Sequence, residues 1–171
     1  PELMIVEFLD DDNNPVAPGE AGEVTITTLG VTGMPLVRFK TGDVVYHYDE
    51  PCRCGRNTVR VSSVVGRKKQ MIKFKGTTLY PPALFDILDN IPDVKHYVVE
   101  VFTNELGTDD VLVRVGTLTP GERFEKEIKD IFRAKVRVAP GVIFDTPENV
   151  SKIMFPPMSR KPVKFIDKRS H

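Results

Sequence analysis

The character of the chain changes at Gly66, and this change constrains the fold more than any other feature. Before Gly66, short runs rich in β-branched residues alternate with glycine, proline and acidic turn clusters, a pattern typical of strands. After Gly66, helical and strand patterns follow each other. We therefore expect an all-β part over residues 1–66 and a mixed part over residues 67–171.

The first part predicts a small, distorted β-barrel built from short strands. Its Glu-Val-Thr-Ile-Thr-Thr run alternates and is rich in β-branched side chains. A Thr-Gly-Asp turn at residues 41–43 is expected to separate two of the strands. The predicted strands cover residues 3–9, 23–28, 36–39, 44–48 and 59–65.

The second part predicts a compact α+β layer. A Pro-Pro pair should open one helix that runs to Leu88, and Thr119 should cap a second helix with Pro120 at its first position. A basic tail over residues 159–169 closes the chain. The predicted strands of this part cover residues 70–75, 97–102, 111–115, 136–138 and 142–144.

Composition excludes several classes of function. Lys+Arg and Asp+Glu number 24 each, so the net charge of zero argues against a general nucleic-acid or anionic-membrane partner. No apolar run approaches the roughly 18 residues of a membrane span, and no signal-peptide pattern is present. The chain begins at Pro1 without an initiator methionine, which we interpret as the start of a fragment. The two cysteines are one residue apart and are not expected to pair, so a reducing, cytoplasmic setting is the simplest interpretation.

Asp43 is the first candidate binding residue. A carboxylate held at a fixed angle can accept hydrogen bonds from the two hydroxyls of a ribose. An aspartate in a turn is more often only a turn former, so the pattern gains weight from the Gly-Arg pair at residues 66–67.

Residues 34–43 (MPLVRFKTGD) and 66–76 (GRKKQMIKFKG) together resemble the two late signature motifs of the adenylate-forming acyl-CoA synthetase and ligase superfamily. Residues 51–56 (PCRCGR) resemble the phenylacetate-CoA ligases and the related coenzyme F390 synthetases. The resemblance implies that residues 1–66 are the last β-subdomain of a truncated AMP-binding domain. Residues 67–171 would be the mobile C-terminal lid, with a hinge near residues 67–70 and the N-terminal domain of the same enzyme missing.

The resemblance assigns roles to five residues around this hinge. It implies that Asp43 and Arg67 hold the ribose of ATP and of the acyl-adenylate, and that Lys69 is the pivot of domain rotation. Lys73 and Gly76 would lie on the strand and turn that line the pantetheine tunnel, where glycine permits close backbone approach. The alternative for Lys73 is a solvated lysine on an edge strand.

Lys161 is the candidate catalytic lysine that the resemblance implies near the C-terminus. An ammonium at this position would stabilise the charge that develops on the α-phosphate during adenylation. Residues 156–164 (PPMSRKPVK) match the family pattern with two departures, since Arg160 stands where glycine is usual and Lys164 where arginine is usual. The alternative is a solvated basic terminus.

Cys52 and Cys54 could supply two thiolates to a structural zinc ion, with His47 nearby as a third ligand. Zinc needs four ligands, so the remainder would come from a missing upstream part. Unliganded thiols in a tight turn are the alternative.

The resemblance implies an ATP- and Mg²⁺-dependent enzyme that converts a carboxylic acid, expected to be aromatic, to an acyl-adenylate and then to a CoA thioester. No glycine-rich phosphate loop and no acyl pocket are present, so the 171 residues alone are expected to be inactive. Two alternatives stay open: an adenylyltransferase similar to coenzyme F390 synthetase, and a non-catalytic binding module with the lid fold. A homodimer is also left open.

Overall fold

The computed structural model describes residues 3–169, and the chain divides into two compact units between Gln70 and Met71. Each unit has its own secondary structure. Together they are α+β, so the predicted fold class is confirmed. None of the helices within residues 3–169 is long and apolar enough to cross a membrane.

The first unit is a curled antiparallel sheet of five strands. The strands are β1 (Met4–Leu9), β2 (Ala21–Thr28), β3 (Phe39–Tyr48), β4 (Arg60–Val61) and β5 (Gly66–Arg67). The strand order is β1-β2-β3-β4, and β5 pairs with β3 at Asp43 and Val44. A 3₁₀ turn over Lys68–Gln70 ends the unit.

The Thr-Gly-Asp segment is a bulge inside β3, not a turn between two strands. The register of β2 against β3 shifts between Glu23 and Thr25, which leaves residues 41–43 as the irregular part. Gly42 has a φ of 78°, a left-handed value that glycine adopts without strain. The prediction of separate strands at residues 36–39 and 44–48 was therefore wrong, because a bulge bends a strand without ending it.

The second unit contains a β-hairpin and a four-stranded mixed sheet. The elements are β6 (Ile72–Phe74), β7 (Thr77–Leu79), α1 (Pro81–Asp89), β8 (His96–Thr103), β9 (Asp109–Gly116), α2 (Glu122–Val136), β10 (Gly141–Asp145), α3 (Pro147–Met154) and β11 (Phe165–Asp167). The strand order of the mixed sheet is β10-β9-β8-β11. Strands β8 and β9 are antiparallel, and each outer strand runs parallel to its neighbour.

Alternating side chains of β8 pack into two separate layers. Val99 and its same-face neighbours join the apolar stripes of α1 and α2 in the main core, where Ile128 and Phe132 are fully buried. Val98 points the other way and packs against α3 through Val150. Burial of each such side chain contributes about 1.5–3 kcal/mol, so the sheet is held from both faces.

Two elements of the second unit differ from the sequence prediction at their boundaries. α2 begins at Glu122 after Gly121, because Thr119 hydrogen bonds to Thr117 and does not cap the helix. The predicted strand at residues 136–138 is wrong, since Val136 is the last helical residue and the chain then turns through a left-handed Arg137.

α3 and β11 were not predicted at all. A Thr-Pro pair marks the start of α3: the Thr146 hydroxyl accepts a hydrogen bond from the Asn149 N–H at 3.3 Å, and Pro147 occupies the first turn. β11 is only three residues long and lies within the segment interpreted as a basic tail. Its short apolar pattern could not outweigh the surrounding lysines.

Glu100 is a buried carboxylate of β8 that two basic side chains satisfy. Arg114 donates to it at 3.1 Å, and Lys168 also donates to it. Burial opposes ionisation of Glu100, but the hydrogen bonds and charges of Lys168 and Arg114 outweigh it and lower the pKa of this carboxyl. The contribution to stability is therefore present at neutral pH and is lost as the pH falls through this lowered pKa.

Candidate functional site

Asp43 and Arg67 are brought together by the pairing of β3 with β5. They are opposite each other in register, and the Arg67 Nε lies 3.0 Å from an oxygen of the Asp43 carboxylate. The side chains are 30% exposed for Asp43 and 64% exposed for Arg67, so this is a surface pair that a ligand can reach. The two residues selected from separate motifs thus form one cluster.

The bulge orients this pair. The Thr41 hydroxyl donates to the Val24 carbonyl at 3.0 Å and accepts the Asp43 N–H at 3.1 Å. These bonds fix the backbone from which the Asp43 carboxylate projects. The ion pair uses one carboxylate oxygen and Nε, so the second oxygen and the terminal guanidinium nitrogens can meet vicinal hydroxyls or a phosphate.

The segment at the end of the first unit is anchored through Lys68. Its ammonium lies 2.9 Å from both Asp11 and Glu23, and the Glu23 side chain is only 7% exposed. The hydrogen bond to Asp11, followed by the contributions of Glu23, raises the pKa of Lys68 against the effect of burial. Lys69, the predicted pivot, is exposed and lies in the middle of the 3₁₀ turn.

Lys73 and Gly76 lie on the β6–β7 hairpin. Ile72 and Phe74 are buried while Lys73 is exposed, which is the alternation of a strand with one buried face. Lys75 and Gly76 have φ values of 48° and 78°, the two positive values that a tight type I′ turn needs. Gly76 therefore has a conformational reason to be glycine, and a Cβ added there would meet nothing within 4 Å.

The loop that joins α3 to β11 carries Lys161, which is exposed. The Ser159 hydroxyl donates to the Lys161 carbonyl at 2.5 Å and accepts the Lys161 N–H at 3.3 Å. Lys161 therefore lies on a folded segment and not on a free terminus. Its role in catalysis stays a prediction.

Cys52 and Cys54 are both free thiols, and the Cys54 Sγ donates to the Cys52 Sγ at 3.0 Å. The hydrogen bond from Cys54 is the main cause of a lowered pKa at Cys52, and the charge of Arg60 adds to it. His47 is buried and stacks on Phe8, with ring centroids 4.5 Å apart. Within residues 3–169, no three His, Cys, Asp or Glu side chains are grouped so that they could hold a metal ion.

A second charged cluster was not predicted from the sequence. The Arg169 guanidinium donates to the Met71 carbonyl at 2.8 Å and to Asp109 at 3.1 Å, and Asp109 also accepts the Lys73 N–H at 2.7 Å. The hydrogen bond to Asp167 is the main cause of a raised pKa at Arg169. No sequence signal identifies this cluster, because its members are distant along the chain.

Solved structures share this fold. The 2-hydroxyisobutyryl-CoA ligase in the postadenylation state, in complex with R3-HIB-AMP, superposes with a TM-score of 0.76 at 22% identity. The match covers 97% of this chain and 36% of that chain. The anthranilate CoA ligase AuaEII in complex with anthranoyl-AMP superposes with a TM-score of 0.58 at 19% identity, over 85% of this chain and 30% of that chain. The fold is thus that of part of an adenylate-forming CoA ligase.

Sequence similarity shows which group of CoA ligases the chain resembles. The chain is 33% identical over 118 residues to a phenylacetate-coenzyme A ligase of Thermus thermophilus, a match that covers 68% of this chain and 26% of the relative. It is 31% identical over 91 residues to the phenylacetate-coenzyme A ligase of Escherichia coli, over 53% of this chain and 20% of the relative. No protein-family model matches. The resemblance to the adenylate-forming superfamily, and within it to the phenylacetate-CoA ligases, is confirmed. The chain spans about a quarter of the length of these relatives.

Proposed function

We propose that this chain is part of an AMP-forming acid–CoA ligase that activates an aromatic carboxylic acid. The observation that carries the proposal is the convergence of Asp43 and Arg67, taken from two motifs, into one exposed ion pair. In this role Asp43 accepts hydrogen bonds from the ribose hydroxyls of the nucleotide, and Arg67 binds the same ribose from the neighbouring strand.

The proposed reaction has two steps. The substrate carboxylate attacks the α-phosphorus of ATP, the bond to the β-phosphate breaks, and pyrophosphate leaves. The Lys161 ammonium stabilises the charge on the α-phosphate oxygens during this step. The CoA thiol then attacks the acyl carbon, its proton passes to solvent, and AMP leaves, while the Lys73–Gly76 hairpin lines the approach of the thiol arm. Mg²⁺ would neutralise the charge of the triphosphate.

The proposal includes rotation about a hinge at Lys69, close to the predicted boundary between residues 1–66 and 67–171 as functional domains. Lys68 is tied to the first unit by its ion pairs with Asp11 and Glu23. The carbonyl of Met71 is tied to the second unit by Arg169. Lys69 and Gln70 lie between these two positions in the chain, which supports placing the pivot there.

We expect the intact enzyme to exchange pyrophosphate into ATP in the presence of an aryl acid, and to form a thioester when CoA is added. The 171 residues alone should stay at background, because the proposed phosphate loop and acyl pocket lie outside them. Adenylate formation by the intact enzyme without thioester formation would favour an adenylyltransferase. Acid-dependent exchange by the 171 residues alone would contradict the fragment interpretation.

Zinc binding by Cys52 and Cys54 also belongs to the proposal. The close thiol pair, with a lowered pKa at Cys52, can supply two of the four ligands that zinc requires. We expect metal analysis of the intact enzyme to find about one zinc per chain. Cys52→Ser or Cys54→Ser should remove it, whereas Arg53→Ser should retain it. Metal-free wild-type enzyme of normal stability would overturn this assignment.

A further inference from the structure

We call residues 155–163, which carry Lys161, the Lys161 loop. A hydrogen bond closes this loop at its base. The Val163 N–H donates to the Met154 carbonyl at 2.7 Å, which joins the end of α3 to the segment just before β11. Inside the loop, the Ser159 N–H donates to the Pro156 carbonyl at 2.9 Å. The backbone that carries Lys161 is therefore defined by hydrogen bonds on both sides of the lysine.

Lys164 lies directly after this loop, and its ammonium is fully engaged. It donates to the two oxygens of Asp89 at 2.9 and 3.0 Å and to the Tyr97 hydroxyl at 2.7 Å. The ammonium also lies 4.7 Å from the centroid of the Tyr97 ring. We call Lys164, Asp89 and Tyr97 the Lys164 anchor.

The buried member of the Lys164 anchor fixes its hydrogen-bond pattern. Tyr97 is 3% exposed, and burial followed by the carboxylate of Asp89 raises the pKa of its hydroxyl well above the ordinary range. The hydroxyl stays protonated, so it donates to Asp89 at 2.9 Å and accepts from Lys164. Each of the three groups therefore orients the other two.

The backbone of Lys164 is held as well. Its carbonyl accepts the Val99 N–H at 2.9 Å, and the following residue, Phe165, pairs in register with Val99. Side chain and backbone thus fasten the downstream end of the loop to α1 and β8. Lys164 is three positions after Lys161 in the chain, a reach of roughly 10 Å.

We propose that Lys164 is a positioning residue that holds the Lys161 loop in place for adenylation. The inference rests on the proposed function and deepens it. Because the Lys164 ammonium is bound to Asp89 and Tyr97, it is not a second cation for the phosphate. It acts through Lys161, since loss of the side-chain part of this fastening loosens the downstream end of the loop and lets the Lys161 ammonium move away from the α-phosphate.

The test is Lys164→Met in the intact enzyme, with the two half-reactions measured separately. Methionine keeps the apolar stem over the Tyr97 ring and loses the hydrogen bonds. We expect kcat for acid-dependent pyrophosphate exchange to fall by about 10–100-fold, as a displacement of about 1 Å of a catalytic group does. Conversion of a supplied acyl-adenylate and CoA to thioester should change by less than about threefold. Lys164→Arg should retain most of the exchange activity, because arginine at this position can pair with Asp89.

Three further variants separate positioning from general destabilisation. Asp89→Asn removes the charge of the anchor with little change in shape, and should lower exchange in the same selective way. Lys126→Met, on an exposed position of α2, is the matched control and should leave both half-reactions unchanged. The double variant Lys161→Ala/Lys164→Met should be no slower in exchange than Lys161→Ala, because Lys164 acts only through Lys161.

Equal loss of both half-reactions in Lys164→Met and Asp89→Asn would overturn the inference, as would additive losses in the double variant. Normal exchange in both single variants would also overturn it, while leaving the proposed function intact if Lys161→Ala is defective. Normal exchange in Lys161→Ala itself would instead show that the proposed role of Lys161 fails, and the inference with it.

Discussion

Lys161→Ala in the intact enzyme should lower the rate of adenylate formation by about 10²–10³-fold, the usual cost of removing one preorganised charge contact from a transition state. The expected reason is electrostatic, since in the proposed role the Lys161 ammonium meets charge that develops only as the carboxylate attacks phosphorus. The same variant should convert a supplied acyl-adenylate and CoA to thioester at a nearly normal rate. The measurement is pyrophosphate exchange beside a direct thioester assay.

Lys152→Ala is the matched control for this prediction. Lys152 is an exposed lysine in the last turn of α3, directly before the Lys161 loop. The control should leave both half-reactions unchanged. If Lys161→Ala keeps adenylation within a few-fold of wild type, the alignment of residues 156–164 with the family pattern is wrong. Arg160 would then be the next candidate, because Lys164 is engaged by Asp89 and Tyr97.

Lys69→Pro should separate the two half-reactions more completely than any side-chain deletion. Proline fixes φ near −65°, a value that suits the 3₁₀ turn over Lys68–Gln70 but prevents rotation about that bond. We expect one half-reaction to survive and the other to fall by about 10²-fold or more, as expected when catalytic groups cannot reach their positions. Single-turnover assays of each half-reaction provide the measurement.

Lys69→Ala controls for the loss of the lysine side chain and should leave both half-reactions close to wild type. Circular dichroism and melting temperature should match among the wild type and the two variants. Equal losses of both half-reactions in a normally folded Lys69→Pro enzyme would contradict the hinge assignment.

Much of the fold could be predicted from the sequence because its strong patterns are local. The α1 helix and the strands β8 and β9 were found to within one or two residues, since buried β-branched runs and a Pro-Pro helix start are hard to misinterpret. The β3 bulge could not be predicted. A glycine in Thr-Gly-Asp indicates either a turn or a bulge, and only the pairing of β2 with β3 decides between them.

In the candidate site, too, some residues could be predicted from the sequence and some contacts could not. Asp43 and Arg67 were selected from motifs, and the structure places them in contact. The contacts of Lys164 with Asp89 and Tyr97 had no signal in the sequence, because 75 residues separate Lys164 from Asp89. Lysines in a basic tail look alike until tertiary structure distinguishes the bound Lys164 from the exposed Lys161.

The Arg169 cluster has a mechanical consequence. Arg169, near the end of the second unit, binds the carbonyl of Met71, the first residue of that unit, and the carboxylate of Asp109. These bonds hold the two ends of the unit together. Closing so long a chain segment limits the ways in which either end can fray. A torque applied at Gln70 is therefore transmitted to the hairpin and to the tail together. In the proposed rotation about Lys69, the β6–β7 hairpin and the loop with Lys161 would therefore turn as one body.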